Sequence, residues 1–317
     1  MATGRRKVTA AEVASQPFAG RLGGNQGFIL DPKNLDNESA LKRTPDASPF
    51  ISVQEIFNLK GFLEPALWKA AAVEGIGTML LVWITVFVSA HPVGPSPPPS
   101  PTSGIFSTPT FLGPLVGGLS NIIFISLFIF SLGPVSGGHL NPIITMSTFT
   151  ARLTTFPRMV LYVSFQTAGG VIAGLILRAT YGSRDFLAGG CFADSALVPI
   201  NDLFALEFMA DITLLFLAFG VGLDPRQKGT FGPALGPILV GMVVGVLSFG
   251  TSISRAGYGG ASMNPARCMG AFVGSKFPSF AWVTWVGPIS ASIIHGFIYW
   301  ALPPWTYPKS NQENSPG

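Results

Sequence analysis

Two stretches of the chain decide its fold: SGGHLNPI at 136–143 and GGASMNPA at 259–266. In each stretch glycines precede an Asn-Pro pair, and a short apolar segment follows, at 142–149 and at 265–273. Asn is a favoured N-cap, and proline suits the first turn of a helix because no backbone N–H is needed there. Both stretches therefore predict a short helix that starts at the proline.

The segments around the two stretches are apolar enough to cross a membrane. Of the 317 residues, 48% are hydrophobic and only 11% are charged, whereas a soluble domain carries about 25% charged residues. A membrane-spanning helix needs roughly 20 apolar residues. Six segments reach this length, at 66–89, 112–132, 157–178, 203–222, 233–252 and 280–302. The segments that follow Asn-Pro are too short to span.

The chain repeats itself. A glutamate within a span, a second span, a glycine-rich approach, Asn-Pro and a further span recur in each half, starting from Glu74 and from Glu207. Each half has an odd number of spans, so the second half is inverted relative to the first, as in many transport proteins. The sequence therefore predicts an all-α membrane protein of six transmembrane helices and two re-entrant half-helices, in two inverted repeats at about 66–179 and 202–302.

The membrane domain is predicted at 63–303, between an N-terminal tail at 1–62 and a C-terminal tail at 304–317. The long tail mixes charges, Asn, Gly and Pro without lasting periodicity, which predicts that it is mostly disordered. Nine of the nineteen Lys and Arg residues precede residue 70, and the loop at 90–111 has none. Because basic residues favour the cytoplasmic side, we expect both tails in the cytoplasm. The expected location is the plasma membrane.

Two half-helices that enter from opposite faces would place two positive dipole ends near the bilayer centre. There the amides of Asn141 and Asn264 can donate hydrogen bonds to a passing molecule. Donors beside positive dipole ends favour neutral solutes and repel cations. Two roles remain open for Glu74 and Glu207, proton relay or bracing of the loop backbone, and bracing is the favoured interpretation. For His139 a pH gate and a bracing role are both open.

With these motifs, the chain resembles the major intrinsic proteins, or aquaporins, over about 66–302. The stretches SGGHLNPIITMS and GYGGASMNPARCMG are similar to the two pore loops of that family, with Pro142 and Pro265 in their usual places. Ile143 stands where the family usually has alanine, and Ala266 matches it in the second motif. Cys268 after the second motif, the run GGC at 189–191 and the run DPRQ at 224–227 resemble the X intrinsic protein subgroup. The resemblance implies a homotetramer in a lipid bilayer.

The resemblance also implies a selectivity filter of four side chains. Arg267 matches the family arginine, and Ala261 fits the third position. Counting back from the two motifs places Asn121 and Ser252 at the other positions, with Thr251 as the alternate to Ser252. Such a filter is wider and more polar than one lined by Phe and His.

The chain has two cysteines, Cys191 and Cys268. Two are too few for a disulfide scaffold, and there is no cysteine or histidine cluster that predicts a metal site. Cys268 is interpreted as a small buried residue or as a thiol that reacts with mercury. For Cys191 two alternatives remain open, a link between subunits near the oligomer axis or a free thiol.

The function predicted is a passive channel for water and small neutral solutes of the glycerol, urea, hydrogen peroxide or boric acid class, which excludes ions and protons. The alternative is a secondary transporter of small polar solutes, since such proteins also use inverted repeats and half-helices. A third is a non-conducting junction protein. No nucleophile–base set or phosphate loop predicts an enzyme, no cofactor is expected, and no reader fold predicts nucleic-acid binding.

Overall fold

The computed structural model describes residues 18–22, 29–30, 34–49, 51–92, 109–225 and 230–302. Six long helices in these ranges are called the first to sixth membrane helix: Pro65–Ser89, Pro109–Ser136, Phe156–Tyr181, Ile200–Ala218, Gly232–Ser254 and Val283–Ala301. Two short helices are called the first half-helix, Pro142–Thr150, and the second half-helix, Pro265–Gly274. Every predicted span coincides with one of the long helices to within about a helical turn.

By length and composition, five of the described helices can cross a membrane. They include the fourth membrane helix, which continues through a π-helical turn at Phe219–Leu223. The sixth, Val283–Ala301, is not among the five, and it carries Pro288 and His295 in its interior. His295 is buried, and its Nδ1 lies 2.9 Å from the Ser147 hydroxyl of the first half-helix. The histidine therefore faces the protein interior, and the sixth membrane helix packs against the fourth and against the first half-helix.

The helices pack as the inverted repeat requires. The first membrane helix packs on the third, the fourth packs on the sixth, and the second and fifth pack on each other across the repeats. The first half-helix contacts the sixth membrane helix, and the second half-helix contacts the first and third. Each half-helix therefore packs against membrane helices of the other repeat as well as its own elements.

Glycines bring the third membrane helix against the second half-helix. A Cβ on Gly170 would clash with the carbonyl of Ala266, and a Cβ on Gly174 would clash with the carbonyl of Gly270. Small residues at helix crossings in membranes allow backbones to approach closely in this way. The close approach fixes the position of the residues that follow Asn264.

Two short strands close the mouth of the bundle beside Arg267, which we call the filter mouth. Strand β1, Ala90–Pro92, pairs antiparallel with strand β2, Phe186–Ala188. A single bridge joins Ala193 to Tyr258. These contacts hold the loop that follows the third membrane helix against the loop that precedes the second half-helix. The sequence pattern did not predict the strands, because three residues are too few to show alternation.

The described parts of the N-terminal tail are folded. They form helices at Glu38–Arg43 and Val53–Ile56 and 3₁₀ turns at Leu35–Asn37, Pro45–Ala47 and Leu59–Leu63. Asp46 in this part of the tail forms a buried ion pair with Arg158 of the third membrane helix. Disorder over most of the tail stays a prediction. The rest of the predicted tails, the loop at 93–108 and the end of the DPRQ run lie outside the described residues.

Candidate functional site

The two asparagines of the Asn-Pro motifs cap their half-helices. The Asn141 side-chain oxygen accepts from the backbone N–H of Ile143 at 3.1 Å. The Asn264 oxygen accepts from Ala266 at 3.1 Å and from Arg267 at 3.3 Å. Both asparagines have extended backbone, and proline follows each as the first helical residue. These are the N-caps that the two motifs predict.

The side-chain amides also join the two repeats. Nδ2 of Asn141 donates to the carbonyl of Met263 at 2.7 Å, and Nδ2 of Asn264 donates to the carbonyl of Leu140 at 3.0 Å. Leu140 and Met263 each precede an asparagine, and each lies in the left-handed region, with φ of 51° and 52°. Such conformations are uncommon for residues other than glycine and persist where the surroundings fix them. The two hydrogen bonds between the repeats hold Leu140 and Met263 in this conformation. The two loops therefore meet at the centre of the bundle in a symmetric arrangement, which we call the joint.

A cavity runs past this joint. It is lined by polar side chains from both repeats and by aliphatic side chains, which lie within a turn of one another on the same helices. The polar lining comprises Thr85, Asn121, His139, Asn141, Ser248, Ser262, Asn264 and Arg267. The aliphatic lining comprises Leu22, Leu81, Val82, Ile125, Ile129, Ile144, Leu214, Val240 and Val244. A small solute in this cavity meets both hydrogen-bonding and apolar groups.

The structure brings three of the four predicted filter residues to one cavity, which Ser248 also lines. Asn121, Ala261 and Arg267 line the cavity, and Nδ2 of Asn121 donates to the Ser248 hydroxyl at 3.1 Å. Thr85 of the first membrane helix also lines the cavity. Ser248 and Thr85 were not predicted from the sequence. A polar residue one turn before the counted position was the available signal for Ser248, whereas nothing in the motifs pointed to Thr85.

Ser252 and its alternate Thr251 are not among the described residues that line the cavity, and their filter role stays a prediction. The Ser252 hydroxyl donates to the carbonyls of Ser248 and Gly259, at 2.7 and 3.1 Å. The Thr251 hydroxyl accepts from the backbone N–H of Ala261 at 3.0 Å. Both hydroxyls are engaged by backbone, so they hold the loop that carries Ala261.

Arg267 is fixed by neutral oxygens from two neighbouring segments. Its guanidinium donates to the carbonyl of Gly189 at 2.8 Å, to the hydroxyl of Ser89 at 3.0 Å and to the hydroxyl of Thr85 at 3.3 Å. None of the ion pairs found in the described part of the chain includes Arg267. The charge is therefore directed at the cavity without a neutralising carboxylate beside it.

The two cysteines form a disulfide bond with each other, with Cα atoms 5.3 Å apart. This corrects the predictions for Cys191, because it is neither a free thiol nor a link between subunits. It also corrects the prediction of a reactive thiol at Cys268, although that residue is buried as expected. The bond joins the loop that supplies Gly189 to the first turn of the second half-helix. The sequence could not reveal it, because 77 positions separate the cysteines.

Glu74 lies buried behind the first half-helix and accepts four hydrogen bonds. The donors are the backbone N–H groups of His139 and Leu140, at 3.0 and 2.6 Å, the Ser136 hydroxyl at 2.6 Å and the Gln166 amide at 2.9 Å. A carboxylate with this many donors orders the loop that leads to Asn141.

Glu207 has the equivalent position in the second repeat. It accepts from the backbone N–H of Ser262 at 3.0 Å, from the Ser262 hydroxyl and from the Tyr258 hydroxyl at 2.8 Å. The sequence pattern did not predict the hydrogen bond from Tyr258 to Glu207. These contacts tie each glutamate to the loop before its half-helix, and the bracing role stays a prediction.

His139 lines the cavity and is held at both ring nitrogens. Nδ1 lies 3.0 Å from the Thr145 hydroxyl, and Nε2 lies 2.7 Å from the carbonyl of Gly20 in the N-terminal tail. The ring therefore connects the tail to the first half-helix, which agrees with a bracing position.

Comparisons with known proteins give the family. The sequence matches the family model described as Major intrinsic protein over residues 62–299. Aquaporin TIP4-1 of Zea mays is 34% identical over 173 residues, which are 53% of this chain and 62% of that protein. Aquaporin-B of Dictyostelium discoideum is 28% identical over 259 residues, which are 73% of this chain and 82% of that protein. The alignment with the maize protein thus spans less than two thirds of its length.

The fold is similar to that in the X-ray structure of the aquaglyceroporin from Plasmodium falciparum. The TM-score is 0.54 at 17% sequence identity, and the match covers 75% of this chain and 98% of the other. The family model covers both half-helices and all six membrane helices described above, apart from the last two residues of the sixth. The chain therefore belongs to the major intrinsic protein family.

Proposed function

We propose that this integral membrane protein is a passive channel that conducts water and small neutral solutes and excludes ions and protons. The observation that carries the proposal is the cavity between two N-capped half-helices, lined by Asn141, Asn264 and Arg267. The names of the relatives, aquaporins, and of the structural neighbour, an aquaglyceroporin, support it.

The solutes proposed are of the glycerol, urea, hydrogen peroxide or boric acid class, which the resemblance to X intrinsic proteins also implies. The filter mouth supports this because no Phe, Tyr or Trp is among the described residues that line the cavity. Asn121, Ser248 and Arg267 offer donors and acceptors to hydroxyl or amide groups. Ile125 and Val244, one turn from Asn121 and Ser248 on the same helices, can contact the carbon atoms of a polyol without competing for its hydroxyls.

Ion exclusion follows from the charge distribution. A cation that enters the cavity loses its hydration shell and meets the Arg267 guanidinium and two positive half-helix ends. The aliphatic side chains of the lining offer no replacement oxygens, and an unpaired charge costs several kcal/mol or more in such surroundings. An anion that binds at Arg267 meets the same aliphatic side chains farther on. Neutral solutes avoid both penalties.

The test is uptake by proteoliposomes that contain the purified protein. We expect linear, uncoupled uptake of water and of glycerol or urea. Asn121→Phe should reduce glycerol and urea uptake more than water uptake, since the ring narrows the cavity at the filter mouth. The matched control is Ser131→Phe on the same helix, at an exposed position outside the cavity. Saturable uptake coupled to an ion gradient would replace the channel with the transporter, and equal glycerol uptake by both variants would refute the filter assignment.

The setting proposed is a homotetramer in the plasma membrane, with both termini in the cytoplasm. Large apolar side chains are exposed along the membrane helices, which supports burial in lipid or against other subunits. The basic residues before residue 70 support the orientation. Protease digestion of sealed vesicles tests the orientation of the termini. Chemical cross-linking tests the homotetramer, and imaging of a tagged chain tests the location in the plasma membrane.

A further inference from the structure

A segment of the N-terminal tail, Phe18–Leu22, lies in the mouth of the cavity opposite the filter mouth. We call this the tail mouth. The segment is outside the residues that match the family model, 62–299. Even so, Phe18, Arg21 and Leu22 are only 1%, 1% and 2% exposed, as little as the core of the membrane domain. This tail segment is therefore packed into the membrane domain, and its Leu22 lines the cavity.

One side of the segment is bound to the end of the second membrane helix. The backbone N–H of Leu22 donates to the carbonyl of Gly137 at 2.9 Å. Nη1 of Arg21 donates to the carbonyls of Gly133 and Pro134, each at 2.9 Å. A cation is favoured at these terminal carbonyls by the helix dipole. Burial lowers the pKa of Arg21 to about 10, so the guanidinium stays charged at neutral pH.

The other side of the segment is bound to the tail and the third membrane helix. The N–H of Ala19 donates to the carbonyl of Asp46 at 2.6 Å. Asp46 is itself held by a buried ion pair with Arg158, 2.6 Å between Nε and the carboxylate. The Arg158 guanidinium lies 4.2 Å from the centre of the Phe18 ring. These contacts give the segment a fixed position.

Leu22 reaches across the tail mouth. Its backbone is bound at Gly137 in the first repeat, and its side chain lies beside Gly222 at the end of the fourth membrane helix, in the second repeat. Leu22 lines the cavity together with Ile129 and Ile144, and these three residues belong to one apolar cluster. An apolar ring in a narrow pore resists entry of water, because nothing there replaces the lost hydrogen bonds.

We propose that the tail segment Phe18–Leu22 forms the constriction of the pore at the tail mouth, with Leu22 as the side chain that limits passage. The proposal rests on the channel function proposed above. It assigns to the tail a control of permeation that is separate from the filter at Asn121, Ser248 and Arg267. Phe18 and Arg21 act as positioning residues, because their contacts hold Leu22 without facing the solute.

The first test is the water permeability of proteoliposomes with Leu22→Ala. The variant should swell faster by roughly threefold to tenfold, the range that a barrier lower by about 0.7 to 1.4 kcal/mol produces. The matched control is Leu35→Ala, in the same tail but 84% exposed and away from the cavity. It should swell at the wild-type rate. Equal rates for wild type and Leu22→Ala would overturn the proposal.

The second test uses the disulfide as a built-in control. Because Cys191 and Cys268 are bonded to each other, Leu22→Cys adds the single free thiol. A small methanethiosulfonate reagent should then reduce water permeability in this variant and leave the wild type and Leu35→Cys unchanged. Labelling at position 22, verified by mass spectrometry, without loss of permeability would contradict a pore-lining position.

The two tests separate this proposal from the channel function. Folded wild type and folded Leu22→Ala that are both impermeable to water and glycerol would overturn the channel function and this proposal with it. Permeable proteins with equal rates would overturn the constriction alone. Monodisperse elution in detergent verifies folding in each case.

Discussion

Removal of the disulfide should destabilise the protein measurably. The double variant Cys191→Ser with Cys268→Ser removes the bond without leaving a free thiol. For 77 positions between the cysteines, the loop-entropy relation gives about 4.5 kcal/mol. That figure supposes an unfolded chain that moves freely. The closed loop includes the fourth and fifth membrane helices, and helices that stay inserted in lipid or detergent restrict the unfolded state. We therefore expect a loss of about 2 to 3 kcal/mol.

The assay is thermal unfolding in detergent micelles, followed by the loss of monodisperse protein. At about 2 to 4 °C per kcal/mol for a chain of this size, the midpoint should fall by roughly 5 to 10 °C. Dithiothreitol should lower the midpoint of the wild type by a similar amount and should not affect the double variant. A double variant with the wild-type midpoint, or a wild type that is insensitive to the reductant while mass spectrometry finds free thiols, would refute the reasoning.

Two further predictions concern the braces and the filter charge. Glu74→Gln should lower the free energy of unfolding by about 2 to 5 kcal/mol, because an amide retains one acceptor oxygen and leaves two of the four buried donors unpaired. Thermal unfolding midpoints measure this loss. Glu55→Gln, at an exposed position, should change the midpoint little. Arg267→Ala should admit protons and other cations, since it removes the unpaired positive charge of the filter mouth. Vesicles loaded with a pH-sensitive dye measure the proton leak, and vesicles that stay tight would contradict the assigned role. The control is Arg178→Ala, because the Arg178 guanidinium binds the carbonyl of Val273 outside the cavity.

The membrane topology could be predicted because its determinants are local. A span requires only a long apolar run, and each half-helix is specified by Asn followed by proline at its first position. The second membrane helix shows the limit of this reasoning. It extends to Pro109–Ser136, beyond the apolar run at 112–132, because a proline needs no partner for its nitrogen in the first turn and the Ser136 hydroxyl at the end donates to Glu74.

The finer parts of the site could not be predicted because they depend on distances across the fold. Counting back from Asn264 led to Ser252, but its hydroxyl binds the carbonyl of Gly259 in the loop, and Ser248, one turn earlier in the same helix, lines the cavity. The partner of Cys191 lies beyond two membrane helices in the sequence. The composition predicts a mostly disordered tail, whereas its described part contacts the membrane domain through several pairs, among them Asp46–Arg158 and Arg21–Gly133. Composition carries no information on such a pairing.

The side-chain amides of Asn141 and Asn264 have two roles, since they hold the two repeats together and can also donate hydrogen bonds to a solute. Each side-chain oxygen is used for capping, and each amide donates one of its two N–H groups to the opposite repeat. Asn141 and Asn264 therefore retain one N–H each for a passing molecule. Loss of either asparagine removes one of these amide donors and one hydrogen bond between the repeats. In the channel proposed above, stability and proton exclusion should therefore decline together.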